Sequence, residues 1–116
     1  EMNSQTLIKK IVSLIQEKKG YDIKIIDLKG ISSLTDYFII CTSDSDPQTR
    51  AITNHIKKDL SRVKIKPCQI EGLEYMDWIL IDYFNIVVHI FKKETRKFYD
   101  IERLWADAKI KTIKND

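Results

Sequence analysis

Glycine and proline are scarce in this sequence, 3 and 2 in 116 residues, which excludes collagen-like and low-complexity organisation. Cysteine is equally sparse. Cys41 lies in an apolar run, Cys68 follows Pro67, and no CxxC pair or Cys/His cluster accompanies them, so neither a disulfide framework nor a zinc site is expected, and a reducing cytoplasmic compartment is. No apolar run approaches the roughly 20 residues that cross a bilayer, and no basic stretch followed by an apolar core opens the chain. Secretion and membrane insertion are therefore not expected. A strong excess of one charge is also missing: 20 basic against 17 acidic residues leave +3, far from the basic stripe of a dedicated nucleic-acid binder. Glu1 precedes Met2 and is expected to be an addition to the natural sequence.

What is present is a hydrophobic fraction of 43%, enough for one ordered domain. Leu7, Ile8, Ile11, Val12, Leu14 and Ile15 gather on one side of a helix, with Asn3 or Ser4 as cap and Gly20 as stop. Ile23 to Leu28 and Tyr37 to Cys41 read as strands, the second buried on both faces. Asp46-Pro47 signals a helix start, followed by the stripe Ile52, Ile56, Leu60 and Val63. A strand around Ile65 to Ile70 carries Pro67 and belongs at an edge, and Gly72 to Met76 reads as a loop. Trp78 to Tyr83 and Ile86 to Phe91 form a hairpin through Phe84-Asn85. Glu94 to Ala108 reads as a closing helix with Phe98, Ile101, Leu104, Trp105 and Ala108 inward. This order predicts a single α/β domain over residues 2–108, a mixed sheet of about five strands covered by helices, followed by a lysine-rich tail, 109–116, that frays.

Chemistry-bearing patterns are few. Gly30-Ile31-Ser32-Ser33 before Asp36 has the outline of a nucleotidyltransferase turn, but the alternating second carboxylate falls at position 38, which is Phe38. A two-metal site lacks its ligands, and the enzyme alternative is reduced to Asp36 and Asp82 with a divalent ion. Ser32, Ser33, Thr35 and Asp36 are equally accounted for as turn residues, as are Thr42 to Asp46. His89 alternates with Val87 and Phe91 as a half-buried sheet residue, and His55 has no companion ligands. Lys57, Lys58, Lys64 and Lys66 could contact RNA, but along the sequence basic residues are spread among acids. No catalytic residue, metal or cofactor is expected.

More informative is Asp77-Trp78-Ile79-Leu80-Ile81-Asp82-Tyr83, where alternation puts Trp78, Leu80 and Asp82 on one face. Either the sheet is covered on both faces, or Trp78 and Leu80 lie on a partly open face and anchor a partner. On the last helix Tyr99 falls to the side of the apolar stripe and, with Asp100, Glu102 and Arg103, forms either a solvated face or an interface rim.

The run Ser32-Ser33-Leu34-Thr35-Asp36-Tyr37-Phe38-Ile39-Ile40-Cys41-Thr42 resembles the signature of Iojap-type ribosome-silencing factors. The stretches Asp77 to Tyr83, Ile86 to Phe91 and Arg96 to Trp105 follow that family's C-terminal pattern, so the resemblance spans Leu7 to Ala108. It implies a nucleotidyltransferase-like fold without the catalytic carboxylates. It also implies a protein that binds the large ribosomal subunit through ribosomal protein L14 and sterically blocks the small subunit, repressing translation. Trp78, Leu80, Tyr99, Asp100 and Glu102 are the contact positions it carries over. Members also self-associate, so a homodimer off the ribosome is implied too, in competition for the same patch. Pro47 and the Tyr83-Phe84-Asn85 turn depart from the family pattern and bear on local turn geometry.

Overall fold

The computed structural model describes residues 3–114. Helix α1, Ser4–Glu17, starts where the Asn3 side chain accepts the Thr6 N–H at 2.9 Å. It ends in a Schellman turn: Gly20 N donates to Ile15 O at 2.9 Å and Lys19 N to Gln16 O at 3.0 Å. The left-handed residue is Lys19, φ 67°, rather than the expected Gly20. Gly20 is required instead by close approach, since a Cβ there would lie 2.4 Å from Ile15 Cγ2.

Strands β1, Tyr21–Asp27, and β2, Tyr37–Ser43, pair antiparallel, with a bulge between Tyr21 and Lys24. Helix α2, Asp46–Arg62, follows. Its cap is Ser45, whose hydroxyl accepts Gln48 N at 3.2 Å, one residue earlier than the Asp46-Pro47 signal suggested. Ile52, Ile56 and Leu60 are buried as expected, but Val63 is the C-cap and turns outward. Strands β3, Gln69–Glu71, β4, Trp78–Asp82, and β5, Ile86–Lys92, complete the hairpin region, and Phe84 takes φ 75° in the tight turn. The short β3 is an edge strand, as expected, but it begins only at Gln69, so Ile65 to Cys68 is a loop rather than strand and Pro67 lies outside the ladder.

The remaining chain corrects two expectations. The closing helix is broken into α3, Lys93–Tyr99, and α4, Ile101–Leu104, by Asp100 in the left-handed region at φ 45°. Ile101 is buried and Trp105 and Ala108 pack partly inside, whereas Phe98 and Leu104, 79% and 75% exposed, point to solvent. A continuous helix would have put them on the inner side; the break rotates them away. Within the supposed tail, Lys109–Thr112 forms β6, antiparallel to β1, and Ile113 N donates to Ile23 O at 2.9 Å. An edge strand exposes most of its side chains, so Lys-Ile-Lys-Thr carries little apolar signal. The tail's last two residues, 115–116, lie outside the described residues.

The sheet therefore has six strands in the order β3-β4-β5-β2-β1-β6, with β2 and β5 parallel and the other neighbours antiparallel. The central strands are buried on both faces, which explains their nearly unbroken apolar sequence. On one face α1 and α2 enclose the main core of Ile11, Ile15, Ile39, Ile52, Ile56, Ile79 and Ile90. On the other, α3 and α4 cover a smaller cluster of Ile26, Leu28, Ile40, Phe91 and Ile101, against which Phe38, Trp78 and Trp105 are only partly buried. Among the described residues no helix is long and apolar enough to cross a membrane.

Candidate partner-binding site

The second face supplies the site, because its helices are too short to cover it. Trp78 at the start of β4 is half-buried and stacks on Phe91, its register partner on β5, with ring centroids 4.7 Å apart. Its indole N–H donates to Nδ1 of His89 at 3.0 Å. Tyr99 lies 5.0 Å from the same indole and meets Phe98 edge-on, also at 5.0 Å. Phe98, Tyr99 and Tyr75 are exposed, and with Trp78, Gly72 and Glu94 they line a cleft of about 450 Å³. The result is an aromatic surface whose inner wall is fixed by stacking and a hydrogen bond while its outer wall is wet.

Gly72 shapes the rim. Its φ of +92° suits glycine, and a Cβ would lie 1.9 Å from the Trp78 carbonyl oxygen, so the loop can close on the strand only without a side chain. Leu80 is half-buried two residues along β4, opposite His89, and lines a smaller hollow with Trp78, Gly72 and Glu71. Trp78, Leu80 and Tyr99 are thus accessible on the same side of the sheet. Asp100 is exposed beside them, and its left-handed backbone turns the chain after Tyr99.

Glu102 is placed differently from the sequence expectation. Its carboxylate accepts from Arg96 Nε at 3.2 Å and Nη2 at 2.9 Å, and Lys24 Nζ lies 3.5 Å away. Burial alone would push this carboxyl up, but the Arg96 bonds and the Arg96 and Lys24 charges outweigh it and hold it below the usual carboxylate range. Arg96 is itself buried and also donates to Asp22 O at 2.6 Å and Thr42 Oγ1 at 2.7 Å. Glu102 thus bridges to Arg96 across the α3/α4 break that contains Tyr99 and Asp100, while its side chain stays partly accessible. Arg96 was missed in the sequence because nothing local marks an arginine that will be buried.

His89 is more buried than expected, 3% exposed, and burial pushes its pKa down to about 4. Nδ1 accepts from Trp78, so the proton of the neutral ring is on Nε2. His55 is engaged by Glu17 at 2.7 Å. Cys41 is fully buried, and burial pushes its thiol up to about 12, as a packed core residue rather than a nucleophile.

The two carboxylates of the enzyme alternative have structural employment or little company. Asp82 accepts Phe84 N at 2.8 Å and stabilises the hairpin turn, while Asp36 precedes β2. Phe38, in the place of a catalytic acid, packs against His89 and Trp105. Among the described residues no three His, Cys, Asp or Glu side chains converge on a metal position.

Residues 1–116 match the family model described as "Ribosomal silencing factor during starvation". The Ribosomal silencing factor RsfS of Bacillus subtilis is 37% identical over 107 residues, covering 92% of this chain and 91% of that one. A mouse protein named Mitochondrial assembly of ribosomal large subunit protein 1 is 31% identical over 99 residues, which are 83% of this chain and 43% of its own length. The crystal structure of a Chromobacterium violaceum protein superposes with a TM-score of 0.87 at 31% identity, covering 98% of this chain and 95% of the other. With matching sequence over its whole length and a matching fold, the chain belongs to the ribosomal silencing factor family.

Proposed function

We propose that this protein binds the large ribosomal subunit through ribosomal protein L14 and sterically blocks association with the small subunit, repressing translation in the cytoplasm. The observation that carries this reading is the Trp78–Tyr99 aromatic surface, exposed on a member of a silencing family. Tryptophan and tyrosine are the residues that most often anchor protein interfaces. The name of the mouse relative, which points to the large subunit, supports the choice of subunit.

Trp78, Leu80, Tyr99 and Asp100 form the contact in this reading, and Glu102 acts behind them through Arg96. No catalytic group or cofactor is needed. Subunits that join touch at roughly 4 Å, whereas this body measures 36 × 35 × 31 Å. Bulk placed at a joining surface is therefore sufficient to prevent closure. A homodimer through the same aromatic patch would compete with the ribosome.

Co-sedimentation with purified large and small subunits tests the reading. Wild type should pellet with large subunits alone, and Tyr99→Ala should weaken this by on the order of 30-fold, the effect of a 2 kcal/mol anchor. Trp78→Ala removes packing on Phe91 as well, so Tyr99→Ala, at a residue that is 53% exposed, separates binding from folding. Absence of wild-type binding to large subunits would refute the reading.

A further inference from the structure

The ten residues Lys57 to Lys66 hold five basic side chains, Lys57, Lys58, Arg62, Lys64 and Lys66, against one acid, Asp59. Five less one gives +4, more than the +3 of the whole chain, so the excess positive charge resides in this segment and the remainder is slightly acidic. In the sequence these lysines are interrupted. The fold sorts them.

Helix α2 closes in a second Schellman turn, with Ile65 N donating to Leu60 O and Lys64 N to Ser61 O, both at 3.0 Å, and Lys64 at φ 63°. Ile65 packs on the main core, and Cys68 N donates to Asp82 O at 2.7 Å, so the loop is tied down at both ends. Between helix and loop lies a groove of about 550 Å³ lined by Asn54, Lys57, Lys58, Ser61, Ile65 and Lys66, with no carboxylate in its wall. Asp59 is taken up by Lys10 at 3.0 Å and Arg62 at 3.6 Å. Among the described residues, Lys57, Lys58, Lys64 and Lys66 have no ion-pair partner. Compensation of the helix dipole accounts for Arg62 in the last turn, but Lys64 and Lys66 lie beyond the helix.

We propose that this groove is a contact site for the phosphate backbone of RNA. Unpaired lysines beside the Asn54 amide suit a polyanion, and the absence of an aromatic side chain from the wall offers no stacking platform for bases. The contact is therefore electrostatic and independent of base sequence. Its biological partner rests on the large-subunit reading, since the RNA of that subunit would supply the phosphates. The Cys68–Asp82 bond puts the loop at the opposite end of β4 from Trp78, roughly 13 Å along the strand at about 3.3 Å per residue. The groove lies on the α2 face of the sheet and the aromatic patch on the opposite face, both bordering the β3–β4 edge, so a surface of protein and RNA that meets both must wrap around that edge.

The test measures binding of the full chain to an RNA duplex of about 20 base pairs, and to purified large subunits, between about 50 and 200 mM salt. Wild type is compared with the triple variants Lys57→Gln/Lys58→Gln/Lys66→Gln and Lys57→Arg/Lys58→Arg/Lys66→Arg. Wild type and the arginine variant should bind the duplex at low salt, and the glutamine variant should lose it with an unchanged melting temperature. On subunits the glutamine variant should show a log–log salt slope shallower by roughly 2 to 3, the release expected for three phosphate contacts. Tyr99→Ala should weaken subunit binding at unchanged slope. Equal duplex affinity and slope for wild type and the glutamine variant would overturn the proposal. So would wild type that binds subunits but not the duplex, which would assign the lysines to an acidic protein. If wild type binds the duplex through these lysines but ignores subunits, the RNA site stands and the silencing reading fails.

Discussion

The indole N–H of Trp78 and Nδ1 of His89 are joined at 3.0 Å on a diagonal between neighbouring strands, since Trp78 is in register with Phe91 and His89 with Leu80. The bond needs an unprotonated Nδ1. Nε2 is then the protonated nitrogen, buried without a partner among the described residues. A neutral imidazole, held neutral by burial, thus steadies Trp78.

Acid should undo that support. Free histidine titrates near 6.5 and His89 in the fold near 4, so between these values the unfolded chain binds a proton that the folded one refuses, and stability rises with pH. His89 should cost the fold about 3 kcal/mol as pH falls through this window, with no contribution above it. Denaturation midpoints of wild type and His89→Gln should converge toward pH 4, because glutamine keeps an acceptor but does not titrate. Parallel pH profiles would refute the assignment.

Arg96 should be among the most sensitive positions. Arg96→Ala leaves the Glu102 carboxylate with only the longer Lys24 contact and strands the Asp22 carbonyl and the Thr42 hydroxyl, at a cost of about 3 kcal/mol. Glu102→Gln keeps the shape and should cost less, about 1 to 2 kcal/mol. Urea denaturation measures both, and a loss under 1 kcal/mol for Arg96→Ala would show that the clamp carries little.

Gly72 and Gly30 share left-handed backbones but differ in surroundings. Gly30→Ala meets open space and should cost about 1 kcal/mol from backbone strain alone. Gly72→Ala drives a methyl into the Trp78 carbonyl and should cost more than about 2 kcal/mol. Near-UV circular dichroism should also report displaced tryptophan only for Gly72→Ala; equal effects of the two substitutions would contradict the close-approach account.

Deletion of residues 109–116 separates a frayed tail from a strand. Loss of β6 exposes the β1 edge from Lys24 to Asp27 and removes Ile113 from its place against the core. Destabilisation on the order of 2 kcal/mol should follow. A melting temperature unchanged from wild type would return the segment to tail status.

The sequence by itself determined the elements whose partners are a few residues away. A stripe every three or four residues marked Ile8, Ile11 and Ile15, alternation separated Trp78 and Leu80 from Ile79 and Ile81, and an unbroken apolar run marked the doubly buried β2. These patterns are legible because helical and strand periods repeat over short distances. Alternation and the helical stripe also singled out Trp78, Leu80 and Tyr99, but left open whether the sheet face beneath them was covered, because the extent of a covering helix is not written in a local period.

Tertiary structure decided what depends on distant partners. Arg96 is buried because it meets Asp22, 74 residues away, and Glu102 turned inward with it. Asp100 broke the last helix and sent Phe98 and Leu104 outward, while Lys109–Thr112 became a strand because β1 offered an unpaired edge. Lys57, Lys58 and Lys66 line a single groove only after a Schellman turn at the end of α2 brings the loop back beside the helix. In each case the deciding energy comes from long-range hydrogen bonds, charges or sheet edges, which act across the fold rather than along the chain.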